Sequence, residues 1–306
     1  MPELPEVETV RRGLAQRVTG EHITSVWFSN KPQPFKSPPQ EIAQVLQGAR
    51  ISGVERAGKH IVIELDADIL TPASGLAAAG TSSPALKRSH AQATRKATAS
   101  GAQRQDGTEH PQCIVHLGMT GALQVTSPDA AMLKHTHAVL RLASGREIRF
   151  VDPRRFGRIW VTRGFQTPGL EPLHTGFGAF AVLFRQRKTP IKSALLNQKL
   201  LRGIGNIYAD ESLFRAGIRP RRRASSLARQ ELQRLHKAVQ RVLREAIAAG
   251  GSSISDYFDV DGEPGLFQTR HRVYGREGQP CFRCGTAIKR IVVAGRGTHY
   301  CPKCQR

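Results

Sequence analysis

Two residues at the start of the chain can do covalent chemistry together. In Met1-Pro2-Glu3-Leu4-Pro5-Glu6, removal of Met1 exposes the secondary amine of Pro2, and an α-amino group titrates near 8, roughly 2 units below lysine. A fair fraction is then neutral at physiological pH. Such an amine attacks an electrophilic carbon and, being secondary, collapses to an iminium that acidifies the neighbouring C–H and opens an elimination route. Glu3 is adjacent, placed to shuttle the proton. A retained Met1 blocks this chemistry and leaves Pro2 an ordinary N-terminal residue.

A second constellation lies at the other end. Cys281-Phe282-Arg283-Cys284 and Cys301-Pro302-Lys303-Cys304 form two knuckles whose four thiolates suit tetrahedral Zn²⁺, and four protein ligands leave no open position, so the metal is structural. Between the knuckles, Ala287–Val293 and Thr298–Tyr300 alternate like hairpin strands around the turn Ala294-Gly295-Arg296-Gly297. The glycines let the backbone bend and push Arg296 outward, either as a finger for phosphate or as a plain exposed turn arginine. Gly203-Ile204-Gly205-Asn206 either opens a helix whose N–H groups and positive dipole end can cradle a phosphate, or is no more than a helix–helix connection. Lys188 and Lys192 upstream and Arg219 to Arg223 downstream make the surrounding helix–turn–helix a clamp for a DNA backbone. In His116-Leu117-Gly118-Met119-Thr120-Gly121 and Asp152-Pro153-Arg154-Arg155-Phe156-Gly157, Met119 and Phe156 are either core residues or wedges that part base pairs while Arg154 fills the vacated space.

These groups need a scaffold. Val7, Val10, Leu14 and Val18 recur at helical spacing, with acids early and arginines late, and predict an amphipathic helix that holds the amino terminus against a core. Short alternating or apolar runs follow at Ile23–Phe28, Ile51–Glu55, Ile61–Leu65, Cys113–Leu117, Ala122–Thr126, Ala138–Leu142, Ile148–Val151 and Ile159–Thr162, predicting an antiparallel sandwich or barrel. Residues 71–111 are Ala-, Ser-, Thr-, Gly- and Gln-rich and predict a disordered insertion, either a basic tether or a tolerated loop. The Gly- and Pro-rich stretch 163–175 predicts a hinge. Helices are then expected over Lys192–Leu201 and Asn206–Ala216, and a longer one capped by Ser226 and stopped by Gly250-Gly251.

The charge balance points to the partner. Lys and Arg number 46 against 24 Asp and Glu in 306 residues, a formal charge of +22, and the excess is spread along the chain, which favours nucleic acid over a membrane surface. No apolar run of about 18 residues and no leader-like h-region predicts a membrane span or export, so the expected location is cytoplasmic, on the nucleoid. Of the five cysteines, Cys113 stands apart as an expected core residue.

The residues Pro2 to Gly13, Lys59 in Arg56-Ala57-Gly58-Lys59-His60, His116 to Met119, Asp152 to Gly157, Gly205 to Ala209 and the terminal knuckles together closely resemble the bacterial formamidopyrimidine-DNA glycosylases, over nearly the whole chain. The 71–111 stretch departs from the family pattern. The resemblance implies an α+β chain: an N-terminal antiparallel β-sandwich with a leading helix over 1–162, a hinge over 163–175, a helix-two-turn-helix domain over 176–277 and a four-cysteine zinc-finger hairpin over 278–306. It implies a monomer that excises oxidised purines, 8-oxoguanine and formamidopyrimidines, from duplex DNA and cuts the strand by β,δ-elimination. Pro2 is then the nucleophile, Glu3 the proton donor for base release, Lys59 the proton donor in β-elimination and Arg296 the phosphate contact for δ-elimination. His135, Arg154 and Lys188 match DNA contacts, Asn206 and Lys192 phosphate contacts, Met119, Arg154 and Phe156 the gap-filling residues, and residues 261–267 a loop over the damaged base. Spacing alone does not separate oxidised purines from oxidised pyrimidines, nor an enzyme from a DNA-binding module without catalysis.

Overall fold

The computed structural model describes residues 1–66, 110–254 and 257–306. The chain is α+β. Helix α1 (Leu4–Val18) leads into strand β1 (Ile23–Phe28), a short helix α2 (Pro39–Leu46), strands β2 (Arg50–Ala57) and β3 (His60–Asp66), and then β4 (Pro111–His116), β5 (Ala122–Thr126), β6 (Thr136–Leu142), β7 (Glu147–Val151) and β8 (Arg158–Arg163). Two four-stranded antiparallel sheets result, ordered β1-β6-β7-β5 and β2-β3-β4-β8. Each strand expected from the alternating or apolar runs is present, because one face of each buries against the core between the sheets. The insertion expected over 71–111 lies outside the described residues as far as 109, and its last residue, Pro111, already belongs to β4.

The second half is helical. Helices α3 (Phe177–Val182), α4 (Ile191–Leu196), α5 (Asn206–Ala216) and α6 (Arg229–Ala248) precede a two-stranded hairpin of β9 (Lys289–Val293) and β10 (Arg296–Tyr300). The structure corrects three local expectations here. Helix α4 stops at Leu196 rather than Leu201, because the Asn197 side chain accepts the Lys199 N–H at 3.0 Å and turns the backbone out of the helix. Ser226 ends a short 3₁₀ turn, and the cap of α6 is Ala228, whose N–H donates to the Glu231 carboxylate at 2.9 Å. Arg296 is not at the tip of its turn. Ala294 and Gly295, both left-handed at φ 48° and 73°, form the whole two-residue connection, so Arg296 opens β10.

Helix α1 joins the two halves. Val7, Val10, Leu14 and Val18 lie in the core of the sandwich, whereas Leu4 is buried in the helical core with Tyr208, Leu243 and Phe267. The helix packs on β2 and on α6. Fully burying a leucine is worth roughly 1.5–3 kcal/mol, so Leu4 fixes the amino terminus at the junction of the two cores. Cys113 lies in the sandwich core with its thiol pushed up to about 12 by burial, which makes it unreactive. No helix among the described residues is long and apolar enough to cross a membrane.

Candidate active site

The junction holds a cavity of about 550 Å³ whose walls include Pro2, Glu3, Lys59, Met119, Asn206 and Arg296. Residues far apart in sequence meet there because α1, the β2–β3 turn, the N-terminus of α5 and β10 converge. Gly58, left-handed at φ 63°, turns β2 into β3 and leaves Lys59 facing the cavity.

Glu3 is seated by backbone. The Leu4 N–H donates to the Gly203 carbonyl at 2.9 Å, and the Glu3 carboxylate accepts the Ile207 N–H at 3.1 Å and, at the longer reach of 3.5 Å, the Tyr208 N–H. A Cβ at Gly205 would lie 2.2 Å from the Glu3 carboxyl carbon. The glycine-rich start of α5 therefore departs from expectation. Two of its N–H groups, those of Ile207 and Tyr208, are taken by the Glu3 carboxyl and are not left for a phosphate. Burial drives the Glu3 carboxyl up to about 7 against the opposing pull of Lys59, with Glu6 adding to the rise. Lys59 is pushed below its ordinary value by burial, opposed by Glu3 and Glu6 and reinforced by Arg296. A carboxyl and an amine that each exchange protons more readily than usual thus share one cavity.

Glu6 lies beneath them and is not marked as a functional residue by the sequence. Its carboxylate accepts the Glu3 N–H and the Ser252 N–H, each at 2.8 Å, and the Tyr208 hydroxyl. Burial raises it in spite of these donors. The only sequence signal is its position three residues after Glu3 at a helix start, the spacing of a capping box. His116 and Tyr274 also line the cavity. Nothing in the spacing marks Tyr274.

Lys192 is the clearest departure among the expected DNA contacts. Its ammonium is fully buried, paired with Asp210 at 2.7 Å, and donates to the Gly297 carbonyl at 2.9 Å and the Thr298 hydroxyl at 2.8 Å. Asn206 donates to the same Gly297 carbonyl at 2.9 Å, and Asp210 accepts the His299 N–H at 2.8 Å. Lys192 is therefore spent on fastening β10 to α5 and has no donor left for a phosphate. Its work is to set Arg296 opposite Glu3 and Lys59.

Met119, Arg154 and Phe156 come together on two loops that touch backbone to backbone. A Cβ at Gly118, which is left-handed at φ 64°, would lie 2.4 Å from the Gly157 nitrogen, so only glycine permits the approach. Asp152 ties the loops, accepting the Thr120 hydroxyl at 2.6 Å and the Gly157 N–H at 2.7 Å. Met119 and Phe156 are both well exposed, and the Arg154 guanidinium lies 5.0 Å over the Phe156 ring. The core alternative for these two apolar side chains is excluded. His135 lies beyond them in a groove with Trp27, Lys31 and Arg155, and Lys188 is exposed between α3 and α4. In the 261–267 loop, Asp261 pairs with Arg17 of α1 at 2.5 Å while Phe267 is buried in the helical core.

The four C-terminal sulfurs lie within 4.8 Å of one another, with Cys281 and Cys304 at 3.9 Å and Cys284 and Cys301 at 3.5 Å. Tetrahedral zinc with bonds of about 2.3 Å needs sulfur separations of roughly 3.8 Å. The donor set fits that ion.

Residues 1–159 match the formamidopyrimidine-DNA glycosylase N-terminal domain, 169–257 its H2TH domain, and 278–306 a zinc finger found in FPG and IleRS. The chain is 39% identical over 316 residues to a formamidopyrimidine-DNA glycosylase of Thioalkalivibrio sulfidiphilus, covering all of both chains. Among solved structures, an FPG variant of Lactococcus lactis in complex with Fapy-dG-containing DNA superposes with a TM-score of 0.80 at 31% identity, covering 100% of both chains. The Lactococcus lactis protein with DNA containing an abasic site gives 0.80 at 32% identity over 99% of each chain.

Proposed function

The chain belongs to the formamidopyrimidine-DNA glycosylase family, and from that premise we propose that it is a bifunctional glycosylase and abasic-site lyase acting on oxidised purines in duplex DNA. After loss of Met1, the Pro2 nitrogen attacks C1′ of a nucleotide flipped into the cavity, and the bond to the base breaks as Glu3 donates its proton. The nitrogen gives up its proton, and its lone pair then expels O4′ from C1′; O4′ takes up a proton as the ring opens, leaving an iminium. Loss of the C2′ proton expels the 3′-phosphate, with Lys59 serving proton transfer, and a second elimination assisted by Arg296 releases the 5′-phosphate. Met119, Arg154 and Phe156 fill the gap left in the duplex, and His135, Lys188 and Asn206 hold the strands. One structural Zn²⁺ on Cys281, Cys284, Cys301 and Cys304 keeps the hairpin folded and supplies no chemistry of its own.

The single observation that carries this reading is Glu3: a desolvated carboxyl raised to about 7, beside Pro2 in a cavity with Lys59 and Arg296. The solved relatives with a Fapy-dG lesion and an abasic site in their DNA support the substrate class. The same reading takes the chain as a cytoplasmic monomer on the nucleoid, with functional units over 1–162, 176–277 and 278–306 hinged at 163–175. Borohydride reduction on an 8-oxoguanine duplex tests it. A covalent adduct is expected with the native protein and is weakened or abolished in Pro2→Gly; no adduct with either would leave a DNA-binding module without catalysis.

A further inference from the structure

A second cationic groove lies at the far end of α5. Two adjoining cavities of about 570 and 390 Å³ share Arg215, Arg241, Arg272 and Phe282 in their walls, and the larger adds Arg234, Lys237 and Arg283. Neither shares a residue with the cavity that holds Glu3. Asn206 at one end of α5 and Arg215 at the other are separated by roughly 13 Å of helix axis.

The charge in this groove is unbalanced. Glu245 is the one carboxylate in its walls among the described residues, and both its oxygens are engaged, by Arg215 and Arg241, each at 2.7 Å. Arg234, Lys237, Arg272 and Arg283 face no carboxylate within ion-pair distance among the described residues. Two of these guanidiniums, Arg272 and Arg283, also lie over rings before any partner arrives. Arg276 lies 3.5 Å and Arg272 5.5 Å from the ring of Phe282, a phenylalanine 65% exposed, and Arg283 lies 5.0 Å from the ring of Phe214. The Arg272 backbone N–H is pinned to the buried Glu211 carboxylate at 2.9 Å. Arg234, Lys237, Arg272 and Arg283 are exposed to solvent, and pre-ordered guanidinium forks match phosphate oxygens better than mobile lysines do. Leaving them unpaired costs the fold self-repulsion, a cost that a phosphate backbone would remove.

We propose that this groove binds the sugar–phosphate backbone of a second DNA segment while the catalytic cavity is occupied by the first. The chemistry it recognises is a row of phosphodiesters, and the consequence is direct transfer between DNA segments without release into solvent. The proposal rests on the glycosylase reading only in how the first site is filled.

The test uses zinc-loaded protein trapped by borohydride on a short lesion duplex, so that the first site is closed. Absence of the covalent adduct would speak against the catalytic reading and is scored separately from binding of the second duplex. The trapped complex is titrated with a fluorescent undamaged duplex, with a polyglutamate peptide of equal charge as the competing polyanion. Salt-dependent binding of the duplex is expected, weakened at least about tenfold and with a shallower salt slope in the combined Arg234→Gln, Lys237→Gln, Arg283→Gln variant. Single-turnover excision by that variant on one short duplex should match the native rate. A trapped complex that binds no second duplex, equal binding by the variant, or polyglutamate binding as tightly as DNA would each overturn the proposal.

Discussion

Glu3 and Glu8 stand less than two helical turns apart at the start of α1 and are driven in opposite directions. Glu3 meets two backbone N–H groups and no cation within ion-pair distance, and burial lifts it to about 7. Glu8 is also desolvated, which works against its charge, but Arg11, Arg12 and Arg56 donate to it and hold it at about 2. Arg56 reaches it at 2.9 Å and turns its other nitrogens to Glu171, which also accepts from Arg202. One carboxyl is thus left able to carry a proton at physiological pH, and the other is a permanently charged rivet between α1, β2 and the segment leading into the helical half. Desolvation alone does not distinguish a reactive acid from a structural one; the number of cations that meet it does.

The comparison breaks most readily at Glu3. Glu3→Gln keeps the shape and, through its one carbonyl oxygen, one of the two backbone hydrogen bonds, but carries no acid proton to give, and single-turnover release of 8-oxoguanine should fall about 10²–10⁴-fold. Cleavage of a preformed abasic site, where no base must leave, should fall far less. Native-like base release by Glu3→Gln would end the assignment. Gly205→Ala probes the same seat from the other side: its Cβ would lie 2.2 Å from the Glu3 carboxyl carbon, so base release should drop at least about tenfold, as expected when a reacting group is displaced by about an ångström. Circular dichroism and zinc content should stay native.

The two carboxyls also differ in their response to pH. Glu3 loses its proton as pH rises through about 7, so excision should decline about tenfold per unit on the alkaline side, and that limb should vanish in Glu3→Gln. Its folded value lies above its ordinary 4.5, so the folded state binds the extra proton and the Glu3 contribution to stability falls between pH 4.5 and about 7. Glu8 has the opposite sign. Its folded value lies below 4.5, so its contribution is complete above that pH and is lost as pH falls toward about 2. The smallest effect is expected on stability at neutral pH. Glu8→Gln should cost roughly 1–3 kcal/mol in urea unfolding at unchanged slope, as for a lost charged hydrogen bond, with excision on a lesion duplex within a few-fold of native.

Much of this was legible in the sequence. The alternating or apolar runs marked every strand of the sandwich, since each strand has one face in the core, and the four cysteines declared their site by spacing alone. The acid and arginines of Glu8, Arg11 and Arg12 can be read as helical neighbours at i+3 and i+4. Arg56 and Glu171, which complete that cluster, cannot, because only the packing of α1 on β2 brings them within reach.

Local sequence by itself determined the strands of the sandwich and the longer helices α1, α5 and α6, though not the short α2 and α3. It also determined the four-cysteine set with metal-ligand spacing, and that an amine and an acid are joined at one end of the chain. Tertiary structure decided what those groups meet. It put Glu3 where a phosphate was expected at the head of α5, turned Lys192 from a DNA contact into the buried partner of Asp210, and carried Arg296 across to Lys59. Secondary structure follows from interactions between near neighbours, which periodicity records. The protonation and pairing of a buried charge depend on desolvation and on partners supplied by distant segments, and no local pattern encodes them.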